Sequence, residues 1–449
     1  MRKLDTLIPT ATPTATARRQ LLFVAIGDLI PDPDNPRKHG RAQIDAIARS
    51  IESFGFNAPI LVDKNNKIVA GHGRYEAARL LGIDKVPVIL LDHLTSTQAK
   101  AYLLADNKLT DRSTWDDNKL AIQLKELSDL VLDFDIEAIG FEPPEIDLRI
   151  QSLDPALEEA DDRFEWATGP VVSRTGDLWL LGSHRIYCGS ALDAASYDAL
   201  SNGERAAAAI TDPPYNVKID GHVSGKGRTN HREFEMASGE MSEAEFTDFL
   251  LQTFRRIGAY CRGGALIYSF MDWRHMSEIL AAGRAASLDL LNLCVWAKTN
   301  CGMGSLYRSR HELVFVFKSG KDPHTNSVQL GRFGRNRTNV WNSPGANSFA
   351  RSGARKQLES HPTVKPIALV ADAMLDCTQR NDIVLDPYLG SGTTILAAER
   401  TGRRCHAIEI DGRYVDTAIR RWERLTKQEA KDVHGNTFAQ AKSDRGADQ

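Results

Sequence analysis

The sequence predicts an α/β protein in which a doubly wound, mostly parallel β-sheet follows a smaller N-terminal α+β unit. Its 449 residues are enough for two or three domains. Short apolar runs of strand length alternate with helical patterns through the second half of the chain. A polar, acidic stretch at 157–166 separates the halves and is typical of a linker.

The elements of the first half follow from hydrophobic periodicity. Helical patterns over 43–55 and 74–82 alternate with strand-like runs at 60–63, 67–71 and 86–91. Two amphipathic helical patterns follow before the linker. The expected division is a flexible tail at 1–20, the α+β unit at 21–112, a helical segment with an acidic linker at 113–170, the doubly wound domain at 171–430 and a second flexible tail at 431–449.

The strands of the second half are expected at seven places. The segment at 176–190 predicts two strands joined by a tight turn. Buried strands are predicted at 206–211, 264–270, 291–298, 312–318, 382–386 and 405–410. Ser242 and Glu245 form a capping-box pattern, which predicts the start of a helix at that point.

Composition bounds the class of protein. The chain is 42% hydrophobic and 26% charged, as in ordinary globular proteins. No apolar run approaches the roughly 20 residues that cross a bilayer. The six cysteines never come within four residues of one another, so neither a CxxC zinc clasp nor a redox motif is expected. We expect reduced thiols, no metal and a cytoplasmic location.

The first chemical motif is Asp212-Pro213-Pro214-Tyr215, directly after a buried strand. Open α/β sheets build their sites at this end of a strand. The prolines stiffen the turn and remove backbone donors, so the Pro213 carbonyl and the Asp212 carboxylate can accept hydrogen bonds from an amine. Two such acceptors favour a pyramidal nitrogen with an available lone pair, and Tyr215 can stack on an aromatic base. A plain turn that ends a strand is the alternative interpretation.

The second motif runs from Asp386 to Thr394, between an apolar strand and a helix. Gly390 and Gly392 allow a ligand to approach the backbone, and the helix start offers N–H groups to a carboxylate. About twenty residues later come Glu409 and Asp411, where a carboxylate can accept from ribose hydroxyls. A dinucleotide is the alternative ligand, although the GxGxxG pattern is absent.

Together these motifs resemble those of the DNA N6-adenine and N4-cytosine amino-methyltransferases over about 171–425. The DPPY motif precedes the cofactor motif by 174 residues, which is the order of the family's β group. The resemblance implies a Rossmann-like methyltransferase sheet and S-adenosylmethionine as the cofactor. It implies catalytic roles for Asp212, Pro213, Pro214 and Tyr215. It implies cofactor contacts from Asp386, Pro387, Tyr388, Gly390, Ser391, Gly392, Thr393, Glu409 and Asp411, and from Thr363, Lys365 and Pro366 of the HPTVKP segment.

Other family positions match more loosely. The segments 296–298 and 310–312 resemble strand-end positions of the group. Gly189-Ser190 stands where the family often has Gly-Asp, in which the Asp contacts the cofactor adenine. We expect Asp193 either to replace that contact or to cap a helix.

The resemblance implies double-stranded DNA as the substrate and a flipped-out base as the target. Asp rather than Ser before Pro-Pro-Tyr favours adenine N6, and N4-cytosine methylation is the nearest alternative. No cysteine follows a proline, so the covalent route of carbon-5 cytosine methylation is not expected. RNA or protein glutamine methylation is disfavoured, because those enzymes usually carry NPPY after the cofactor motif. A homodimer is compatible with the sequence, and a membrane partner is not expected.

A basic window runs from Lys318 to Lys365, with nine Lys and Arg against two acids, in a chain of net charge −3. Target recognition in this family lies in this interval, here expected within 318–362. Arg332, Arg335 and Arg337 are candidates to contact DNA phosphates or guanine edges. A solvated basic loop is the alternative.

The N-terminal unit resembles the ParB/sulfiredoxin-like domain over about 22–112, through Asn35-Pro36-Arg37 and the GHGR turn at 71–74. The resemblance implies a nucleotide or phosphate site at Gly71, Gly73 and Arg74, with His72 replacing the acid of partition proteins. An ordinary turn is the alternative. Such fusions are familiar in phage-like and restriction-modification sequences. A ParB-like DNA-binding or nucleotide-hydrolysing protein with a degenerate methyltransferase is the competing function.

Overall fold

The computed structural model describes residues 20–110, 114–153, 169–217, 239–299, 306–331, 335, 337–343 and 365–446. The chain divides into two compact units, Met1–Glu142 and Pro143–Gln449. This division falls earlier than the linker expected around residue 160, because the helix at Pro143–Gln151 belongs to the second unit. The residues of the acidic stretch itself lie outside the described ranges.

The first unit is a four-stranded sheet covered by helices. Its strands are β1 (Leu21–Ala25), β2 (Ile60–Val62), β3 (Ile68–Ala70) and β4 (Lys85–Leu90), and its helices are α1 (Arg41–Phe54), α2 (His72–Leu80), α3 (Ser96–Thr110) and α4 (Asp117–Ser128). The strand order is β1-β4-β2-β3. β2 runs parallel to β4, and the other two pairs are antiparallel. Ile60, Ile68 and Val86 form the centre of its core, so the mixed α+β unit is confirmed.

The second unit is built on a ten-stranded sheet. Its strands are β5 (Leu178–Leu181), β6 (His184–Cys188), β7 (Ala206–Thr211), β8 (Cys261–Met271), β9 (Leu288–Ala297), β10 (His311–Ser319), β11 (Val340–Asn342), β12 (Ile383–Asp386), β13 (Arg404–Glu409) and β14 (Lys431–Asp432). Its described helices are α5 (Pro143–Gln151), α6 (Ala194–Ser201), α7 (Glu243–Tyr260), α8 (Met276–Ala285), α9 (Ile367–Cys377), α10 (Thr393–Thr401), α11 (Gly412–Thr426) and α12 (Phe438–Gly446).

The strand order of this sheet is β11-β9-β10-β8-β7-β12-β13-β6-β5-β14. The five central strands, from β8 to β6, are parallel to one another. The strands that flank them on both sides, β10 and β5, are antiparallel to their inner neighbours. Parallel strands covered on both faces are apolar throughout, and β7 is buried at every residue. The predicted doubly wound, mostly parallel sheet is confirmed.

Local signals in the sequence start several of the helices. Ser242 and Glu245 form the complete capping box at the start of α7, as predicted. Phe246, Leu250 and Phe254 then repeat at helical spacing along its buried face. Asp193 caps α6 by accepting a hydrogen bond from the backbone of Ala195 at 3.0 Å, which is the capping role given above as the alternative.

The C-terminal residues after 430 are ordered, and the expected flexible tail is wrong as far as residue 446. β14 extends the large sheet by pairing with β5. Phe438 of α12 is buried, with its ring centroid 5.3 Å from that of Trp179. Arg445 donates to the backbone oxygen of Val172 at 2.6 Å and to the Asp177 carboxylate. The segment is mostly polar, so its composition did not indicate that Phe438 and Ala441 are buried.

A membrane-spanning helix and a metal-ligating cluster are both absent from the described part of the chain. No helix there is both long and apolar enough to cross a membrane. No group of three or more His, Cys, Asp or Glu side chains in those ranges is placed to hold a metal ion.

Candidate active site

The two motifs are far apart in the chain and adjacent in the fold. β7 and β12 are parallel neighbours, with Val384 beside Ala208 and Leu385 beside Ala209. Both strands therefore end at the same edge of the sheet. The turn that begins at Asp212 and the turn that begins at Asp386 follow these two strand ends. The structure thus brings the two motifs together at the carboxyl edge of the central strands, where α/β sheets place their ligands.

The Asp212 carboxylate is held by two side chains. The Tyr215 hydroxyl donates a hydrogen bond to Oδ1 at 2.6 Å, and the Lys365 ammonium donates to Oδ2 at 2.6 Å. Lys365 Nζ also lies 3.4 Å from the Tyr215 hydroxyl oxygen. The resemblance assigned Lys365 to the cofactor pocket, but its ammonium lies on the carboxylate of the DPPY motif.

Glu312 connects this group to a second lysine. One carboxylate oxygen lies 3.2 Å from the Lys365 ammonium, and the other accepts from the Lys298 ammonium. Burial by itself would raise the pKa of Glu312, but Lys365 and Lys298 lower it to about 2. Burial would lower the pKa of Lys365, but Asp212 and Glu312 raise it. Glu312 and Lys365 are therefore both charged at neutral pH.

The two glycines of the second motif, Gly390 and Gly392, meet different structural requirements. Gly392 has φ +93° and caps the start of α10; a Cβ there would lie 2.7 Å from the Cβ of Ala418, so a side chain is excluded. Gly390 has φ +56°, and a Cβ there would meet nothing within 4 Å. The turn is therefore packed closely behind Gly392 and open beside Gly390.

Two buried carboxylates face this turn. Glu409 accepts from the backbone N–H of Gly390 at 2.8 Å and of Asp411 at 2.9 Å. Asp386 accepts from the Thr394 hydroxyl at 2.6 Å and from the backbone of Tyr388 at 3.1 Å. Burial raises the pKa of each carboxyl to about 7, although these hydrogen bonds lower it. Both groups keep free lone pairs for further donors.

Four other predicted cofactor residues have side-chain partners within the protein, namely Tyr388, Ser391, Thr393 and Asp411. The Tyr388 hydroxyl is hydrogen-bonded to Thr253 of α7 at 2.8 Å, so its ring packs into the core. The Asp411 carboxylate caps α11. The partners of the remaining residues are Arg421 for Ser391 and the backbone oxygen of Lys365 for Thr393. Thr363 lies outside the described residues.

Two of the three arginines expected to contact DNA have partners within the protein. Arg335 is 7% exposed, and its guanidinium donates to the carboxylates of Asp376 at 2.8 Å and Asp372 at 3.3 Å. Arg337 pairs with the same two carboxylates on α9. Both arginines anchor the chain before β11 to this helix, so we no longer expect Arg335 or Arg337 to contact DNA. Arg332 lies outside the described residues.

Asn216 fixes the chain immediately after the DPPY motif. Its side-chain oxygen accepts from the backbone of Gly239 at 3.1 Å and of Met241 at 3.2 Å, and its amide nitrogen donates to the Met241 oxygen at 2.8 Å. Residues 218–238, which include most of the polar Gly-rich segment after Tyr215, lie outside the described ranges. Asn216 thus joins the end of the DPPY turn to the residues that precede α7.

The first unit contains a cavity of about 570 Å³ at the GHGR turn. Gly71, with φ +101°, caps the start of α2, and the N-terminal turn of that helix lines the cavity. A Cβ on Gly73 would lie 3.0 Å from the Cδ1 atom of Ile47, so α1 packs closely on α2 at this position. Asn35 and Arg37, the other half of the ParB-like pattern, line the same cavity.

Arg74 and His72 differ in their suitability for a ligand. Burial lowers the pKa of Arg74 below its ordinary value, and the nearby Asp106 carboxylate offsets only part of this shift. Within the described part of the chain, nothing accepts a hydrogen bond from the buried Arg74 Nε. His72 Nε2 accepts from the backbone of Asp32 at 3.2 Å, which gives this histidine a structural role. The cavity therefore combines a guanidinium with a helix N-terminus, which suits an anion.

Sequence reasoning missed the connections among Glu312, Lys298 and Lys365. The register of three strands places these side chains. Met271 pairs with Leu313, and His311 pairs with Ala297, so the residues next to these pairs meet at the edge where β7 ends. The signal in the sequence was the loose resemblance of segments 296–298 and 310–312 to strand-end positions of the family.

Comparison with known proteins agrees with this organisation. A DNA methylase family model matches residues 206–420, a ParB N-terminal domain model matches 11–108, and a ParB-methyltransferase HTH domain model matches 118–175. The last of these covers the segment that we had expected to be a helical linker.

Individual relatives match the two units separately. The ParB-like nuclease domain-containing protein YnaK of Escherichia coli is 39% identical over 79 residues, which are 18% of this chain and 91% of YnaK. The type II methyltransferase M2.MboI of Moraxella bovis is 24% identical over 227 residues, 48% of this chain and 80% of that enzyme. A solved structure of the cytosine-N4-specific PvuII DNA methyltransferase is 16% identical, covers 59% of this chain and 94% of its own, and has a TM-score of 0.41.

The family matches, the order of the motifs and the adjacency of the two strand ends all agree with the resemblance found in the sequence. Residues 206–420 of the chain belong to the N6/N4 DNA methylase family, and a ParB N-terminal domain and a ParB-methyltransferase HTH domain precede them.

Proposed function

We propose that this DNA methylase transfers a methyl group from S-adenosylmethionine to N6 of an adenine flipped out of a DNA duplex, by direct transfer. The observation that carries the proposal is the adjacency of β7 and β12, since it sets the DPPY turn beside the Gly-rich turn. Asp212 before the two prolines favours adenine. N4 of cytosine is the alternative target, because both exocyclic amines present the same geometry.

The residues of the DPPY turn bind and orient the target amine. The Asp212 side chain is 29% exposed, so its carboxylate can accept one amine hydrogen while it keeps its contacts to Tyr215 and Lys365. The Pro213 carbonyl accepts the other hydrogen. Two acceptors draw the nitrogen lone pair out of conjugation and aim it at the methyl donor. The hydroxyl contact to Asp212 fixes the orientation of the Tyr215 ring, which stacks on the flipped base.

The second turn fits S-adenosylmethionine, which supplies an electrophilic methyl group when bound. Gly390 leaves open space where a side chain would stand, and Glu409 faces that turn with lone pairs available to ribose hydroxyls. No side chain caps the start of α10, so its first N–H groups can bind the carboxylate of the cofactor. After transfer, the amine loses its extra proton to water. The DNA substrate and five buried free thiols in the described residues favour a cytoplasmic location.

The test is methyl transfer from labelled S-adenosylmethionine to unmethylated duplex DNA, with the product nucleosides separated by mass spectrometry. We expect N6-methyladenine from the wild type and at least about a 100-fold loss in Asp212→Ala, because the amine loses its principal acceptor. Asp248→Asn, on the exposed side of α7, is the matched control and should retain full activity.

The product of the methyl-transfer test distinguishes the adenine, cytosine and ParB-like hypotheses. N4-methylcytosine would change only the identity of the base. An Asp212→Ala variant as active as Asp248→Asn would remove Asp212 from the mechanism. A wild type that binds S-adenosylmethionine yet methylates neither duplex nor single-stranded DNA would refute the proposed activity and favour the ParB-like function.

We also propose that the cavity of the first unit binds the phosphates of a nucleotide. Its support is the pairing of Arg74 with the N-terminus of α2, as in the phosphate sites that use helix N-termini. His72 replaces the acid of the partition-protein turn, and we therefore propose binding without hydrolysis.

A further inference from the structure

We propose that Lys365 and Glu312 are positioning residues for methyl transfer: Lys365 holds the Asp212 carboxylate for the target amine, and Glu312 holds Lys365. The inference rests on the proposed function and assigns it two residues beyond the DPPY motif. Neither residue needs to touch the substrate, because both act through Asp212.

The contacts of Lys365 determine its orientation. An ammonium group has three hydrogens to donate. Its three oxygen neighbours are Asp212 Oδ2 at 2.6 Å, Glu312 Oε2 at 3.2 Å and the Tyr215 hydroxyl at 3.4 Å. Each hydrogen therefore has one acceptor, and the ammonium is held between two carboxylates on opposite sides of the site. These three contacts hold the flexible Lys365 side chain in a single position.

Exposure orders the three charged side chains from the surface inward. Asp212 is 29% exposed, Glu312 14% and Lys365 7%. The catalytic carboxylate is thus the member that a substrate can reach, and the other two lie behind it. A carboxylate has about four lone-pair positions, of which Tyr215 and Lys365 occupy two. The remaining positions are available to an amine without displacement of Lys365.

Lys298 completes the group and explains why Glu312 is stable in the interior. A buried carboxylate requires full compensation by partners, and two ammonium groups supply it here. The Lys298 backbone N–H is bonded to the Arg310 oxygen at 2.9 Å, and its ammonium lies 4.6 Å from the centre of the Trp296 ring. Glu312 therefore has a fixed partner, Lys298, directly after the end of β9. Two more acids face the cluster, Asp272 after β8 and Asp386 at the end of β12.

The experiment compares single-turnover methyl transfer and S-adenosylmethionine affinity in the full-length chain. The variants are Glu312→Gln, which keeps the shape and removes the charge, Lys365→Arg and Lys365→Met. Glu204→Gln is the matched control, since Glu204 is also a glutamate paired with a basic side chain, Arg404, but at the opposite, amino end of the parallel strands.

We expect Glu312→Gln to slow methyl transfer by about 10- to 100-fold, as a carboxylate displaced by a fraction of an ångström loses alignment. Affinity for S-adenosylmethionine should stay within about twofold, which also shows that the fold is retained. Lys365→Met should be slower than Lys365→Arg, because arginine restores the cation. A wild-type rate in Glu312→Gln would overturn the proposal. Loss of cofactor affinity at an unchanged rate in Lys365→Met would also overturn it and would place Lys365 in the cofactor pocket.

A second readout is independent of catalysis. Competitive labelling with trace acetic anhydride, followed peptide by peptide, measures the pKa of Lys365. Burial lowers that pKa, whereas Asp212 and Glu312 raise it above the ordinary lysine value, so Glu312→Gln should lower it and Glu204→Gln should not. An unchanged Lys365 pKa in Glu312→Gln would refute the pairing. Absence of methylated DNA from the wild type would refute the proposed function and the role in methyl transfer, whereas wild-type activity with an unaffected Glu312→Gln would refute the positioning role alone.

Discussion

Asp147→Asn should destabilise the methylase unit strongly, although Asp147 belongs to the segment that precedes the catalytic sheet. Asp147 lies on α5, and its carboxylate is bonded to Arg403 at 2.7 Å and to Arg380 at 3.4 Å. The Arg403 side chain is fully buried and that of Asp147 is 4% exposed. The substitution keeps the shape of the side chain and leaves a buried guanidinium without its anion.

The magnitude follows from the environment of Arg403. Removal of one partner from a buried ion pair typically costs about 3–5 kcal/mol. Arg403 retains hydrogen bonds to Thr378 and Thr401, which stabilise its N–H groups but do not neutralise its charge. We therefore expect a loss near the lower limit, about 3 kcal/mol in the free energy of unfolding. This is about a hundredfold change in the unfolding equilibrium constant.

The assay is urea unfolding followed by tryptophan fluorescence, because Trp179, Trp296 and Trp422 are buried in this unit. Glu204→Gln is the control, as it breaks an exposed pair with Arg404 and should cost less than about 1 kcal/mol. If Asp147→Asn were no less stable than Glu204→Gln, the buried pair would not hold α5 on the methylase unit, and the reasoning would fail.

Two other predictions concern the ligand sites. Burial raises the pKa of Glu409 to about 7, so the folded chain binds its proton more tightly than the unfolded chain, where the ordinary value is 4.5. This contribution to stability is complete below about pH 4.5 and is lost as the pH rises through 7. Urea titrations from pH 5 to 8 should therefore show the wild type losing stability relative to Glu409→Gln. Parallel curves of unfolding free energy against pH for the two proteins would contradict this. Arg74→Gln should weaken the binding of nucleoside triphosphates, measured by calorimetry, at least about tenfold, because one charge-assisted contact is lost. Arg79→Gln, on the exposed side of α2, should not weaken it. Equal losses of affinity in the two variants would remove Arg74 from the site.

The sequence was sufficient for the fold class and for the position of both motifs. Apolar runs without alternation predicted buried parallel strands, and β7 and β12 are such strands. Asp212 and Asp386 follow strands, and the ends of parallel strands share an edge, so their proximity could be expected. Capping signals such as Ser242 with Glu245 are local, and local signals can be read directly from a sequence.

What the sequence did not predict depends on contacts between distant segments. Arg335 looked like a DNA contact because its charge is visible in the sequence, whereas its partners Asp372 and Asp376 lie about forty residues later. Lys365 looked like a cofactor residue because its neighbours in the sequence do. Its ammonium reaches Asp212 only through the order of the strands, which no local pattern encodes.

The hydrogen bonds of Asn216 hold residues 216 and 239–241 together at the two ends of the sequence segment between Val217 and Gly239. Since both ends of the segment are tied to one side chain, a change in its length need not be transmitted to Tyr215 or Asp212. Loops with ends held together accept insertions at little energetic cost. We therefore expect insertions or deletions between Val217 and Gly239 in the sequence to leave the contacts of Asp212 and Tyr215 unchanged.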